Sequence, residues 1–202
     1  MIIWLASYPK SGNTLLRSIL ATYFFSKEGE FKFDYLYKIE QFPSISNFEN
    51  IGVDVLDEKK VFNNFIQAQK FINKEKNKIK FIKTHASLSR INDSNFTDLE
   101  NTMGAVYIVR DPRNVIKSFA HHYDLSLDEA ADAMIDQTRW LVKTDKMFKT
   151  FLSSWSINYN SWKQLGDKVL FVKYEDLINK KKTILIKIFK FIQKLGMQNL
   201  NL

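Results

Sequence analysis

The sequence predicts a three-layer α/β/α domain on a central parallel sheet, and two observations carry that prediction. Four short apolar runs, at 1–7 (MIIWLAS), 79–84 (IKFIKT), 104–110 (GAVYIVR) and 168–174 (KVLFVKY), are nearly continuous rather than alternating. Strands buried on both faces of a parallel sheet read this way. Helical patterns separate the runs, and strands that alternate with helices imply right-handed crossovers within one layered domain.

The elements follow in order. The first run leads into Leu15, Leu16, Ile19, Leu20 and Tyr23, an apolar stripe at helical spacing. Residues 57–76 align Val61, Phe65, Ala68 and Ile72, with Phe62 and Ile66 beside them, which predicts one helix. Residues 126–143 open with Ser126 and Glu129 at capping-box spacing. Their stripe runs through Ala130, Ala131, Met134, Ile135, Thr138, Leu141 and Val142. Residues 149–163 and 180–195 are further helices, the last ended by Gly196. Trp155 and Trp162 are expected in the core, and residues 26–56 show no clear period.

Composition narrows the class. The chain has 202 residues without internal repeat, and its 45% hydrophobic content suits one domain, residues 1–202, with a substantial core. There is no cysteine, which removes disulfides, thiolate metal sites and cysteine nucleophiles. The apolar start has no basic region before it and is broken at Pro9-Lys10, so a signal peptide or stable membrane insertion is not expected; the protein is read as cytoplasmic. A net charge of +8 suits an anionic partner. Much of it lies in the lysine runs 73–80 and 179–194, which read as solvated helix edges.

The stretch SYPKSGNT (7–14) leaves the end of the first strand and enters a helix. Ligands bind at such strand ends, and a helix N-terminus offers unsatisfied N–H groups to an anion. Gly12 allows close backbone approach, Thr14 adds a hydroxyl and Lys10 a point charge. The loop is therefore a phosphate cradle, although it lacks the G-x-x-x-x-G-K-[ST] order and the hydroxyl that would hold magnesium. Three other segments end on the same sheet edge. FIKTHASL (81–88) brings Lys83 and His85. YIVRDPRNVIKSFAHHY (107–123) brings Arg110, with Asp111 as N-cap and Pro112 at N1. VLFVKYEDL (169–177) brings Tyr174 and Glu175. His121 and His122 end a helix, where a cation suits the dipole.

With these segments in order, the sequence resembles the sulfotransferases that use 3′-phosphoadenosine-5′-phosphosulfate. YPKSGNT looks like that family's 5′-phosphosulfate loop and VRDPRNVIKS like its 3′-phosphate segment, with KTH and YED in family order, over residues 2 to about 195. The resemblance implies a P-loop NTPase-like sulfotransferase architecture and an enzyme that needs no metal. It implies Lys10 on the 5′-phosphate and the bridging oxygen, with Ser11, Gly12, Asn13 and Thr14 around that phosphate. Arg110 and Ser118 would grip the 3′-phosphate, and Tyr174 would lie on the adenine side. His85 would be the general base toward a hydroxyl or amine acceptor, with Lys83 beside the transferring group. Adenosine 3′,5′-bisphosphate would be the product, and the partner a small-molecule, lipid or carbohydrate acceptor rather than nucleic acid. Residues 26–56 are then either a cover over the sheet or an acceptor-binding flap.

Two features depart from the family pattern. Leu15 stands where an aromatic residue commonly stacks on adenine, and the chain stops before the family's glycine-rich basic segment. They motivate a second reading, a catalytically weak nucleotide-binding module of the same fold. A kinase would show magnesium dependence and ATP preference, and a nucleic-acid binder would show steep salt dependence.

Overall fold

The computed structural model describes residues 1–74, 79–91 and 93–197. Strands β1 (Ile2–Ser7), β2 (Glu40–Gln41), β3 (Lys80–Thr84), β4 (Thr102–Val109) and β5 (Val169–Lys173) form a parallel sheet in the order β2-β3-β1-β4-β5. Every residue of β1, the central strand, is buried. Its side chains alternate between two cores: Ile2, Trp4 and Ala6 enter one, Ile3 and Leu5 the other. A continuous apolar run is what two covered faces require.

On the Trp4 face, helices α2 (Glu58–Asn63) and α3 (Phe65–Ile72) contribute Val61, Phe62, Phe65, Ala68 and Ile72. Phe42, Phe48 and Trp162 complete that core, and the indole N–H groups of Trp4 and Trp162 donate to Thr102 Oγ1 and to the Ala86 carbonyl at 2.8 and 3.0 Å. Satisfied indoles let these large rings bury without leaving an orphan donor. On the Leu5 face lie α1 (Asn13–Phe25), with Leu16 and Leu20, and a C-terminal helix, residues 181–194, with Ile188 and Ile192. A third cluster joins Tyr8 to α4 (Pro112–Tyr123) and α5 (Leu127–Ile135) through Val115, Phe119, Ala130 and Met134.

The strands match the expected runs, whereas three helices differ. The helix expected over 57–76 breaks at Asn64 (φ −107°), whose side chain donates to the Lys60 carbonyl at 2.8 Å. That helix ends at Ile72, Lys74 is exposed, Lys80 belongs to β3, and residues 75–78 of the predicted lysine run lie outside the described residues. The helix from Ser126 has its capping box but stops at Ile135, because Asp136 turns back to accept from the backbone and hydroxyl of Thr138. Beyond it Trp140–Leu141 pair antiparallel with Thr150–Phe151, which leaves Val142 81% exposed rather than on a buried stripe. The helix expected from 149 begins only at Trp155, capped by Ser154, as α6 (Trp155–Ser161). Trp162 is fully buried as expected, while Trp155 is half-buried. Two further helices near the C-terminal end of the described residues are α7 (Tyr174–Asn179) and α8 (Lys181–Lys194), after which Gly196 takes a φ of 122°.

The stretch without a period is tied down by one cation. Buried Arg17 on α1 donates to the carbonyls of Leu36 and Ile39, both at 2.6 Å. This holds β2 against β3, where Gln41 faces Lys83 in register. Phe42 and Phe48 thereby reach the core, whereas Phe33 and Tyr37 remain 76% and 81% exposed.

Packing at the far end of the sheet is tight. A methyl group at Gly104 would sit 2.5 Å from Leu195 Cδ1 and 2.7 Å from the Lys168 carbonyl oxygen. The side chain can turn away but the backbone oxygen cannot. Gly104→Ala is expected to cost about 1–3 kcal/mol, read as a lower denaturant midpoint with unchanged slope. An unchanged midpoint would show that β4 shifts freely.

Candidate active site

Parallel pairing brings the C-terminal ends of β1, β3, β4 and β5 to one edge, where Ser7 lies opposite Ile108 and Val109 opposite Lys173. From Ser7 the chain turns into α1 through two left-handed residues, Lys10 (φ 63°) and Gly12 (φ 98°). Among the described residues, α1 has no side-chain cap and no acidic residue in its first turn. Its first N–H groups therefore remain available to an anion. Ser11 Oγ is buried with no hydrogen-bond partner among the described residues.

Arg110, at the end of β4, donates to the Lys10 carbonyl at 2.9 Å and lies 4.6 Å over the Tyr174 ring, while its Nε is buried and unpartnered among the described residues. Tyr174 also packs on Gly12. Asp111 caps α4 through Arg113 N and donates its own N–H to Glu175 at 3.2 Å, so the ends of β4 and β5 are joined. Hydrogen bonds from the Arg113 side chain, and then from its backbone N–H, hold the Asp111 carboxyl down at about 2.

His85 follows β3. Its Nδ1 lies 2.7 Å from the Ser7 carbonyl and 3.3 Å from Ser7 Oγ. A carbonyl can only accept, so Nδ1 carries the proton and Nε2 keeps the lone pair. Burial, then the charge of Lys83, pushes His85 down to about 3, so it is neutral at physiological pH. Lys83 donates to Gln41 Oε1 at 2.8 Å; burial first, and Arg17 second, pushes it down to about 8.

Two cavities meet here. One of about 400 Å³ is lined by Lys10, Gly12, Asn13, Thr14, Arg110 and Tyr174. The other, about 330 Å³, is walled mainly by apolar side chains, among them Phe42, Leu141, Met147 and Phe148. Lys83, His85, His122 and Tyr123 line both. Among the described residues no carboxylate lines either.

Eight of the ten predicted site residues therefore line the first cavity. Ser11 is buried beneath the loop, and Ser118 sits half-buried on α4 without lining the cavity. Asn13 turns its side chain inward, donating to the Leu5 carbonyl at 2.8 Å and to Ser7 Oγ at 3.2 Å, so only its backbone is free to meet an anion. Sequence reasoning missed His122 and Tyr123, having placed His122 at a helix end for the dipole alone. Helix α4 instead lies across the strand ends, with Phe119 packed on Tyr8 at 6.1 Å, and carries its last turn over both cavities. The only sequence signal was the His121-His122-Tyr123 cluster itself. A wider cleft of about 730 Å³, lined among others by Leu88, Phe96, Leu99, Ile157 and Leu165, contains none of the predicted residues.

The fold is an α/β domain on a parallel sheet, with an uncapped loop carrying Lys10 at the end of its central strand. The sulfotransferase domain family matches residues 2–199, and the chain belongs to that family. It superposes on mouse sulfotransferase SULT7A1, complexed with PAP, with a TM-score of 0.59 and 21% identity, covering 99% of this chain and 59% of that one. Retinol dehydratase complexed with retinol and PAP gives 0.54 and 18%, covering 96% and 60%. The same enzyme with androsterone and inactive cofactor PAP gives 0.52 and 17%, covering 96% and 63%. The chain thus spans about 60% of the length of these neighbours, which share its fold. Comparison with curated proteins gives no match. Among the described residues, no helix is long and apolar enough to cross a membrane.

Proposed function

We propose that the protein transfers a sulfuryl group from 3′-phosphoadenosine-5′-phosphosulfate to the hydroxyl or amine of a small-molecule, lipid or carbohydrate acceptor. The observation that carries this reading is the shared wall: a neutral histidine and a lysine stand between a cationic cradle and a mainly apolar cavity. The residues fit such a donor, because among the described residues Ser11 Oγ and Arg110 Nε are buried and unpartnered, and Gly12 lets the Tyr174 ring pack directly against the loop backbone. When bound, the donor supplies the sulfuryl group and departs as adenosine 3′,5′-bisphosphate.

The chain's own residues divide the work. The N–H groups at the start of α1, with Ser11 and Thr14, bind the 5′-phosphate, and Lys10 meets the charge that develops on it. Arg110 binds the 3′-phosphate. Tyr174, with Arg110 over its face, lies on the adenine side. His85 accepts the acceptor's proton at Nε2, and Lys83, oriented by Gln41, stands beside the transferred group. Residues 26–56, which supply Gln41 and Phe42, form part of the acceptor's wall.

Calorimetry in EDTA tests the donor site, with adenosine 3′,5′-bisphosphate against adenosine 5′-monophosphate. The bisphosphate is expected to bind at least about ten-fold more tightly, the worth of one charge-assisted contact. Arg110→Ala should weaken it roughly ten- to a hundred-fold and erase the difference between the nucleotides. Equal affinity for both in the wild type would overturn the donor assignment. Discrimination without transfer to a broad acceptor panel would leave a nucleotide-binding module.

A further inference from the structure

Ser7 and Asn13 are both buried, stand six residues apart at the two ends of the loop, and meet behind it. Asn13 Nδ2 donates to the Leu5 carbonyl and to Ser7 Oγ. The opposite orientation would set two oxygens against each other at 2.8 Å, so the amide has one workable direction. Ser7 in turn presents both its carbonyl and its hydroxyl to a single proton, that on His85 Nδ1. The first residue of α1, where an anion would bind, is thus joined by side-chain hydrogen bonds to the imidazole on the neighbouring strand. Asn158 holds the other side of this segment by donating to the His85 carbonyl at 3.0 Å.

We propose that the Ser7 and Asn13 side chains are positioning groups that hold the orientation of the His85 ring, whose Nδ1–H tautomer the Ser7 carbonyl sets, and tie that ring to the anion-binding loop. The proposal rests on the sulfuryl-transfer reading for its catalytic consequence but not for its geometry. His85 can take a proton only through Nε2, and any rotation that releases Nδ1 from Ser7 swings Nε2 away from the shared wall. With the Ser7 hydroxyl removed, Nδ1 still has the Ser7 carbonyl but loses the second acceptor. With the Asn13 amide removed, Ser7 loses its anchor to α1. Such buried bonds orient a base by restricting the ring, as a hydrogen bond to the second nitrogen orients any functional histidine.

The test is nitrogen NMR on the full chain labelled with ¹⁵N-histidine, with Ser7→Ala, Asn13→Ala and the conservative Ser7→Thr. In the wild type His85 is expected as the pure Nδ1–H tautomer. In Ser7→Ala and Asn13→Ala the Ser7 carbonyl still accepts and the tautomer is retained, but the ring signals should shift and broaden as its orientation loosens, with Ser7→Thr close to wild type. A wild-type Nε2–H tautomer, or unchanged His85 signals in both alanine variants, overturns the proposal. This readout needs no donor, so it stands apart from failure of the sulfotransferase reading. In turnover, Ser7→Ala should lower kcat about ten-fold with donor KM within two-fold, and Ser7→Thr should restore it. Loss expressed in KM alone counts against positioning. Should Ser7→Ala fail to fold, the wild-type tautomer and Asn13→Ala decide the question.

Discussion

His85→Ala is expected to lower turnover by roughly 10²–10⁴, the usual contribution of a positioned general base, while leaving affinity for adenosine 3′,5′-bisphosphate within about two-fold. The base stands on the wall shared by the two cavities, and the groups assigned to the phosphates, Lys10, Ser11, Thr14 and Arg110, lie on other elements. Near-wild-type turnover would remove His85 from the mechanism. The pH profile adds a sharper test. In the free protein burial and the charges of Lys83, Arg17 and Lys10 hold His85 at about 3. A bound polyanion offsets those charges and favours the protonated form, so the value must rise. The acid limb of kcat, which reports the loaded enzyme, is therefore expected at higher pH than the acid limb of donor kcat/KM. On the alkaline side, kcat/KM should fall as pH rises through about 8, where Lys83 loses its charge. Coincident acid limbs would mean that donor charge does not reach the base.

The same shift has a consequence for stability. The folded value lies below the ordinary 6.5, so between about 3 and 6.5 the unfolded chain binds more protons. His85 therefore destabilises the folded chain increasingly as pH drops through that window, and this penalty is absent above it. Denaturant midpoints of His85→Ala should decline less steeply than those of the wild type between pH 6.5 and 4.

The strands and their shared edge were legible because burial on both faces leaves little choice of residue. Ile2 through Ala6 are apolar whichever core they enter, so β1 announces itself. Lys10, Lys83, His85, Arg110 and Tyr174 each stand at or just beyond the end of such a strand, and parallel pairing alone gathers them. What failed to show was set by contacts between distant segments. The two-residue strand β2 exists because Lys83 and Ile82 on β3 pair with it and Arg17 anchors its approach. The apolar residues after Ile135 continue a helical stripe in sequence, yet Asp136 and the pairing of Trp140 with Phe151 divert the chain. The place of His122 depends on α4 crossing the strand ends, and periodicity fixes which face of a helix is buried, not the direction of its axis. Asn13 shows the limit within a motif: spacing placed it in the loop, but its side chain belongs to the strand behind.

Gly12→Ala is expected to abolish nucleotide binding and to destabilise the protein by about 1–3 kcal/mol, from two causes acting at one atom. The backbone at Gly12 has a φ of 98°, a region that an L-residue with a side chain enters only under strain. A methyl group there would also lie 2.3 Å from Tyr174 Cδ2 and 2.7 Å from Cε2. The ring is not free to retreat, because the Arg110 guanidinium lies over it and Arg110 is bonded to the Lys10 carbonyl. Relief must come from the loop, and a loop that relaxes to negative φ at this residue turns the first N–H groups of α1 away from the cavity. Tyr174→Ala separates the two causes. Adding it to Gly12→Ala removes the clash but leaves the strain, so the double variant should recover part of the lost stability and little of the binding. Full recovery of binding would show that ring contact alone dictates glycine. A Gly12→Ala protein that still discriminates the bisphosphate from the monophosphate would show that the cradle does not depend on the loop's left-handed turn.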